Sequence, residues 1–187
     1  MDNRQKKFWF LAGLILLAAL SRLLPHPYNF TPLGAVALFG AAFFTDKKWA
    51  ILVPLFAMWI SDLMLNNVFY SAFHSGFTFA TMNMAWVYGS LILIAILGFK
   101  LLKKVTLPRV VGGALSASVI FFLVTNFGVW ISGSIYPISL EGLIACYTAA
   151  IPFFHYTVAG DLIYCGALFG AYEVASSRYP YLRPATS

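Results

Sequence analysis

The sequence predicts an all-α membrane protein, a single bundle of six transmembrane helices, from three observations. Of its 187 residues 61% are hydrophobic and 10% charged, with a mean hydropathy of +0.83, outside the mix of a water-soluble domain. The apolar residues fall in long runs separated by short polar stretches, the pattern of stacked membrane helices. The basic residues gather in alternate connections, as they do when one side of a membrane retains them.

Helix 1 is expected over residues 8–24. Arg4, Lys6 and Lys7 precede an apolar run from Phe8 to Leu20, which also opens a secretory signal. No small-residue cleavage pattern follows, however, and the run continues through Leu24, so it reads as a permanent helix. Helix 2 is expected over 31–45. Its strictly apolar core, Leu33 to Phe44, is short of the ~20 residues a perpendicular span needs, so it spans only with its polar flanks or starts below the outer surface. Helix 3 is placed at 49–66, helix 4 at 83–99, helix 5 at 110–132 and helix 6 at 153–176. No internal repeat or soluble domain interrupts the series, and 1–187 reads as one transmembrane domain. Small residues such as Gly34, Ala37, Gly40 and Ala41, or Gly112, Gly113 and Ala117, read as close helix contacts.

With six spans and a cytoplasmic N-terminus, eleven of the twelve basic residues fall on the inner side, and only Arg22 lies outward. Both termini are then cytoplasmic. The net charge of +6 is a topology signal; its spread over four separate segments leaves no basic groove for nucleic acid. The outer connections, 25–30, 67–82 and 134–152, hold few charges but many aromatics with His, Asn, Ser and Thr. Some of these rings form an interfacial belt. The stretch Val68 to Met82, with Phe69, Tyr70, Phe73, His74, Phe77 and Phe79, exceeds what a belt requires and reads as surface for a ligand, a partner or the bilayer.

A charge at mid-bilayer costs on the order of 2.5–3.5 kcal/mol and must meet a partner or water. Asp62, Asp161 and Arg22 all fall in the outer half of their helices; Glu173, near the inner surface, snorkels. Arg22 pairs with Asp62 or Asp161 to lock helices, or one of these groups, with Asn66, Asn126 or Tyr88, holds a polar substrate at the floor of an outward cavity. Ser132 and Ser134 precede His155 and Asp161 without a GxSxG frame, and HExxH, CxxC and GxxxxGK[ST] are all missing, so hydrolysis and ATP turnover are not expected. Cys146 and Cys165, one in a loop and one deep in helix 6, read as free thiols. Cys146, His26 or His74 remain nominal ligands for a soft transition metal.

The stretches RLLPHPYNFTPLGAVALFGAAFF (Arg22 to Phe44), PLFAMWISDLML (Pro54 to Leu65) and TNFGVWISGSIYPISLEGLIACYTAAIPFFHYTVAGDLIY (Thr125 to Tyr164) resemble the solitary, BtuM-like S-components of the energy-coupling-factor (ECF) vitamin transporter type. The resemblance covers most of the chain. It implies a transporter in a bacterial inner membrane that binds cobalamin or cobinamide, vitamin B12 compounds, in a pocket open to the periplasm and releases it inward. It implies no cofactor besides that cobalt-bearing ligand. The implied binding residues are Arg22, Tyr28, Asn29, Phe30, Asp62, Asn66, Tyr70, His74, Phe77, Ala80, Tyr88, Asn126, Trp130, Tyr136 and Tyr147. S-components that share a coupling subunit carry Ala-x-x-x-Ala in helix 1; Ala12, Ala18 and Ala19 lack that spacing, which favours a transporter without an ATPase module. Cobalamin members offer a cysteine from the third loop to the cobalt. The matching position here is Ala80, so thiol ligation and thiol-driven removal of the cobalt's upper ligand are not implied. The alternatives are an S-component for another vitamin and a partner-binding membrane protein without transport.

Overall fold

The computed structural model describes residues 1–73 and 76–183. Asp2 opens the first helix: its carboxylate accepts the Gln5 N–H at 2.7 Å, while the Gln5 side chain accepts the Asp2 N–H, a reciprocal cap that satisfies orphan donors. Helix α1 then runs Asn3–Leu20 and tightens into a 3-10 turn, Ser21–Leu23. Pro25 and Pro27 prevent its continuation. The helix thus starts earlier and ends earlier than 8–24, because capping acts on backbone donors that hydropathy does not register.

Helix α2, Leu33–Phe43, has 11 residues, about 16 Å at 1.5 Å per residue and roughly half of a ~30 Å hydrocarbon core. Pro32 through Gly40 are buried, so α2 is the axis of the bundle rather than part of its wall. Small residues let its neighbours approach. A Cβ on Gly34 would lie 2.8 Å from Ala117 Cβ, one on Gly98 2.7 Å from Ala41 Cβ, and one on Gly40 2.7 Å from the Ala50 carbonyl. Such contacts are the van der Waals source of helix association where lipid removes the hydrophobic drive.

Asp46 caps α3, Lys47–Met64, by accepting the Lys48 N–H at 2.9 Å. The chain then widens into a π turn, Leu65–Phe69. Helices α4, Met82–Leu101, and α5, Leu107–Ile131, follow, the latter with Pro108 in its first turn, where a missing N–H costs nothing.

Helix α6 runs Leu140–Arg178, 39 residues, about 58 Å and nearly twice a ~30 Å core. It begins thirteen residues before the expected 153, so most of the anticipated 134–152 loop is helical. Ser139 caps it by accepting the Gly142 N–H at 3.2 Å, and Glu141 sits in its first turn, where the helix dipole favours negative charge. The turn residues Gly133, Ser134, Pro137 and Ser139 just before it, and Pro152 within it, make this apolar stretch read as part of a loop. Its first turns lie along the end of α5: Tyr147 Oη donates to the Leu123 carbonyl at 2.6 Å, and the Phe122 ring meets Tyr147 at 5.6 Å and Phe154 at 5.0 Å.

The chain is 80% helical and holds no strand among the described residues. Among the described residues four segments are long and apolar enough to cross a membrane: Lys47–Phe69, Met82–Leu101, Leu107–Ile131 and Leu140–Arg178. In α1 the three basic residues of the first turns leave a short apolar run, and α2 is too short. Ring contacts gather one end of the bundle. Phe8 meets Trp49 at 5.4 Å, Lys47 Nζ stands 5.5 Å from the Phe99 ring, Lys6 Nζ 6.0 Å from Tyr181, and Tyr172 donates to the Leu182 carbonyl. This end, with the start of α1 and the last described residue Arg183, is the termini pole; the α1–α2, α3–α4 and α5–α6 connections form the loop pole.

Candidate functional site

Two adjoining cavities open at the loop pole. The larger, about 400 Å³, is walled by Asn83, Trp86 and Val87 of α4, by Phe121, Phe122, Thr125, Asn126 and Val129 of α5, by Ile135 and Tyr136, and by Cys146, Ala149, Ala150, Phe153 and Thr157 of α6. The smaller, about 230 Å³, is formed by Arg22, Thr31 and Leu33 with Asp62, Asn66, Thr81 and Met84. Asn29, Asn83, Val87 and Phe121 border both, so the two form one irregular recess. Its walls are mostly aromatic and aliphatic, with four amides, Asn29, Asn66, Asn83 and Asn126, lining it from different elements.

Local chemistry explains how these walls are held. Asn29 adopts φ 63°, the left-handed region that asparagine tolerates better than other side-chain-bearing residues. This turn leads into Thr31, which packs against Gly160: a Cβ there would lie 2.9 Å from the Thr31 nitrogen. Phe30 rests 5.7 Å from the Tyr164 ring, and the Tyr164 hydroxyl is 2.7 Å from Ser21 Oγ. The α1–α2 connection is thereby fixed to α6. On the opposite wall the Trp86 indole lies so close to Gly128 that a Cβ would come within 2.3 Å of it, so Gly128 is the seat that sets the ring. The α3–α4 connection is tied by Asn67, whose amide donates to Leu63 and Thr78 carbonyls while its oxygen accepts the Thr78 N–H at 2.7 Å.

At the edge of the smaller cavity Arg22 Nη1 donates to Asp62 Oδ1 at 2.7 Å and to Ser61 Oγ at 2.8 Å, and Tyr88 Oη donates to Asp62 Oδ2 at 2.8 Å. Arg22 Nε is buried without a partner among the described residues. Asp161 takes a different course. It is 2% exposed, lies 2.7 Å from Ser118 Oγ, and accepts the backbone N–H groups of Gly34 and Ala35. Those donors belong to the first turn of α2, which has no side-chain cap of its own. Asp161 is therefore the cap of a buried helix end, supplied from another helix.

Of the residues expected to bind substrate, Arg22, Asn29, Asp62, Asn66, Asn126 and Tyr136 border the recess, and Tyr88 reaches it through Asp62. Tyr28, Tyr70, Phe77 and Ala80 are exposed on the loops outside both cavities. Phe30 packs on Tyr164, Trp130 Nε1 donates to the Pro137 and Ser139 carbonyls at 3.2 Å each, and Tyr147 is bonded to Leu123. His74 lies outside the described residues. Cys146, expected in a loop, is buried in α6 with its thiol 3.4 Å from the Asn126 carbonyl. Asn83, Trp86, Thr125 and Thr157 were not singled out from the sequence. A signal existed: residues 122, 125, 126 and 129 repeat at i, i+3, i+4 and i+7, one face of a helix, and 146, 149, 150, 153 and 157 do the same.

Residues 2–182 match the model of DUF6580, a family of unknown function, and the chain belongs to that family. No curated protein and no solved structure matches it.

Proposed function

We propose that this chain is a membrane transporter of the ECF S-component type that binds cobalamin or cobinamide at the loop pole and carries it across the bacterial inner membrane, without a dedicated ATPase module. The recess at the loop pole carries this reading. It combines aromatic and aliphatic walls with amides from four elements, which suits an amphipathic solute whose edge bears amide groups. Orientation follows from charge: eleven of the twelve basic residues belong to the segments of the termini pole, so that pole and both termini face the cytoplasm, and the recess opens outward. The Arg22–Asp62–Tyr88 group then borders the outward cavity as a charge-compensated set that a polar solute can engage without an unpaired ion being stranded in the membrane.

A second reading has its own observation. The larger cavity, about 400 Å³, falls within the roughly 300–1,000 Å³ typical of small-molecule sites and the smaller, about 230 Å³, below it; both are smaller than a corrinoid. Cobalamin therefore requires the α1–α2 and α3–α4 connections to move outward, whereas a smaller vitamin fits as the recess stands. Incubating the purified protein with cobinamide, cobalamin, riboflavin or thiamine, followed by gel filtration, separates the readings. Retained corrinoid absorbance is the expected result; Ala80 lies outside both cavities as they stand, so an Ala80→Cys variant with an altered spectrum would show this loop reaching the cobalt and an unchanged one would count against it. A raised melting temperature with riboflavin or thiamine and no retained corrinoid overturns the choice of substrate. No effect from any of them overturns the vitamin reading and leaves partner binding.

A further inference from the structure

A third concavity, unrelated to the loop-pole recess, lies between α1 and α3. These helices are joined near the loop pole by Arg22 and Asp62 and touch at the termini pole through Phe8 and Trp49. Between those points they splay around an apolar groove of about 840 Å³ floored by the small residues Ala12, Gly13 and Ala57 and flanked by Trp9, Phe56 and Ile60. Trp9 and Phe56 are 64% and 60% exposed. Along α3 the groove extends from Trp49 to Ile60, about 16 Å at 1.5 Å per residue, which is roughly half of a ~30 Å hydrocarbon core. The groove is one leaflet deep and starts at the termini pole.

The mouth at that pole is basic. Arg4 and Lys7 line a small hollow that shares Phe8 and Trp49 with the groove, and Lys48 Nζ stands 5.6 Å from the Trp49 ring. Lys6 and Lys47 are nearby on the same helix starts, against Tyr181 and Phe99, but do not border the hollow; Lys7 borders it while its Nζ also stands 5.9 Å from the Tyr172 ring. Two acids face this region: Asp46, which borders the hollow and accepts the Lys48 N–H, and Asp2, which caps α1. Neither Arg4 nor Lys7 is in an ion pair among the described residues. Cations therefore predominate at the mouth of a groove whose length matches one acyl chain.

From this geometry we infer that the α1–α3 groove is a binding site for an anionic phospholipid, its acyl chain laid over Gly13 and Ala57 and its phosphate at Arg4, Lys7 and Lys48. Basic pockets between helices at the membrane surface hold anionic headgroups by the same attraction. The inference rests on the membrane location alone and is independent of which vitamin, if any, enters the recess.

Gly13 supplies the test, because a Cβ there meets nothing within 4 Å and a larger side chain fills the groove without disturbing the bundle. The full chain in mild detergent is titrated with dioleoyl phosphatidylglycerol or dioleoyl phosphatidylcholine and observed by native mass spectrometry. Phosphatidylglycerol adducts are expected to exceed phosphatidylcholine adducts by about fivefold or more, the order set by one or two basic contacts. Gly13→Leu abolishes that excess by removing the chain site, and Arg4→Gln with Lys7→Gln equalises the two lipids. Equal retention by the unaltered protein, unchanged adducts in Gly13→Leu, or a lipid-independent dimer that Gly13→Leu dissociates would each overturn the site, the last by showing a second copy in the groove. Should Gly13→Leu not fold, brominated-chain lipids in phosphatidylcholine bilayers decide the matter on the unaltered chain. Phosphatidylglycerol must quench tryptophan emission more than phosphatidylcholine at equal mole fraction, and the difference must vanish in a Trp9→Phe, Trp49→Phe variant; no such difference refutes the proposal.

Discussion

Asp62 and Asp161 are the same side chain in the same kind of place, buried in helices of a membrane-type bundle, yet they are stabilised by opposite means. Asp62 is held by the Arg22 guanidinium and the Tyr88 hydroxyl at the margin of a cavity. Asp161 borders neither cavity and has no cation partner among the described residues; its partners are Ser118 and the first-turn N–H groups of α2. A buried carboxylate needs positive potential, and either a side chain or a helix start supplies it. The difference lies in what else can reach the group. Arg22 and Asp62 stay open to a solute, whereas Asp161 is enclosed by the fold it supports.

If Asp161 is structural, removing it has the largest effect. Asp161→Ala strands two backbone donors, each costing about 1–3 kcal/mol, while the Ser118 hydroxyl keeps the Ala114 carbonyl at 3.0 Å, and the protein should lose on the order of 3–5 kcal/mol. Asp161→Asn keeps an acceptor oxygen and should recover part of that loss. Thermal unfolding in detergent measures both, and an Asp161→Ala protein that melts with the parent would erase the contrast.

Arg22→Leu should cost less, about 2 kcal/mol, because Asp62 borders a cavity where water and protonation relieve the unpaired charge, below the roughly 3–5 kcal/mol of a dry site. Replacing both residues, Arg22→Leu with Asp62→Leu, should restore most of the stability while weakening ligand retention. A double-mutant cycle read by melting and by ligand binding separates those effects; additive stability losses would show that the ion pair does not act as a unit.

The smallest change is expected from Tyr88→Phe. It removes one hydrogen bond to Asp62 and leaves the ring packed, a loss of about 1 kcal/mol. Its use is to sharpen the comparison: if Asp62 serves a ligand, ligand affinity should fall in this variant by more than stability does.

The sequence could nominate both aspartates and Arg22 because charges in apolar runs are rare and must be answered. It could not choose between the two pairings. That choice depends on α2 being short, starting inside the bundle and needing a cap, and Pro32–Leu33 does not announce a buried helix end. The site was legible to the same degree. Asn29, Asn66, Asn126 and Tyr136 stood out as polar or aromatic residues near helix ends, whereas Asn83, Trp86 and Thr157 face the recess only because of how α4 and α6 are rotated. Tyr28 and Phe77 show the reverse, prominent in sequence and exposed outside the cavities.

Composition and periodicity alone determined that this chain is helical, apolar and basic at one pole, since each follows from residue type and spacing along a single strand of sequence. The burial of α2, the reach of α6 back to Leu140, the partner of each aspartate and the groove beside Gly13 were decided by tertiary structure. They depend on which helix face meets which neighbour, and that is set by the fit of small residues such as Gly34 against Ala117, a relation between distant segments that no local pattern contains.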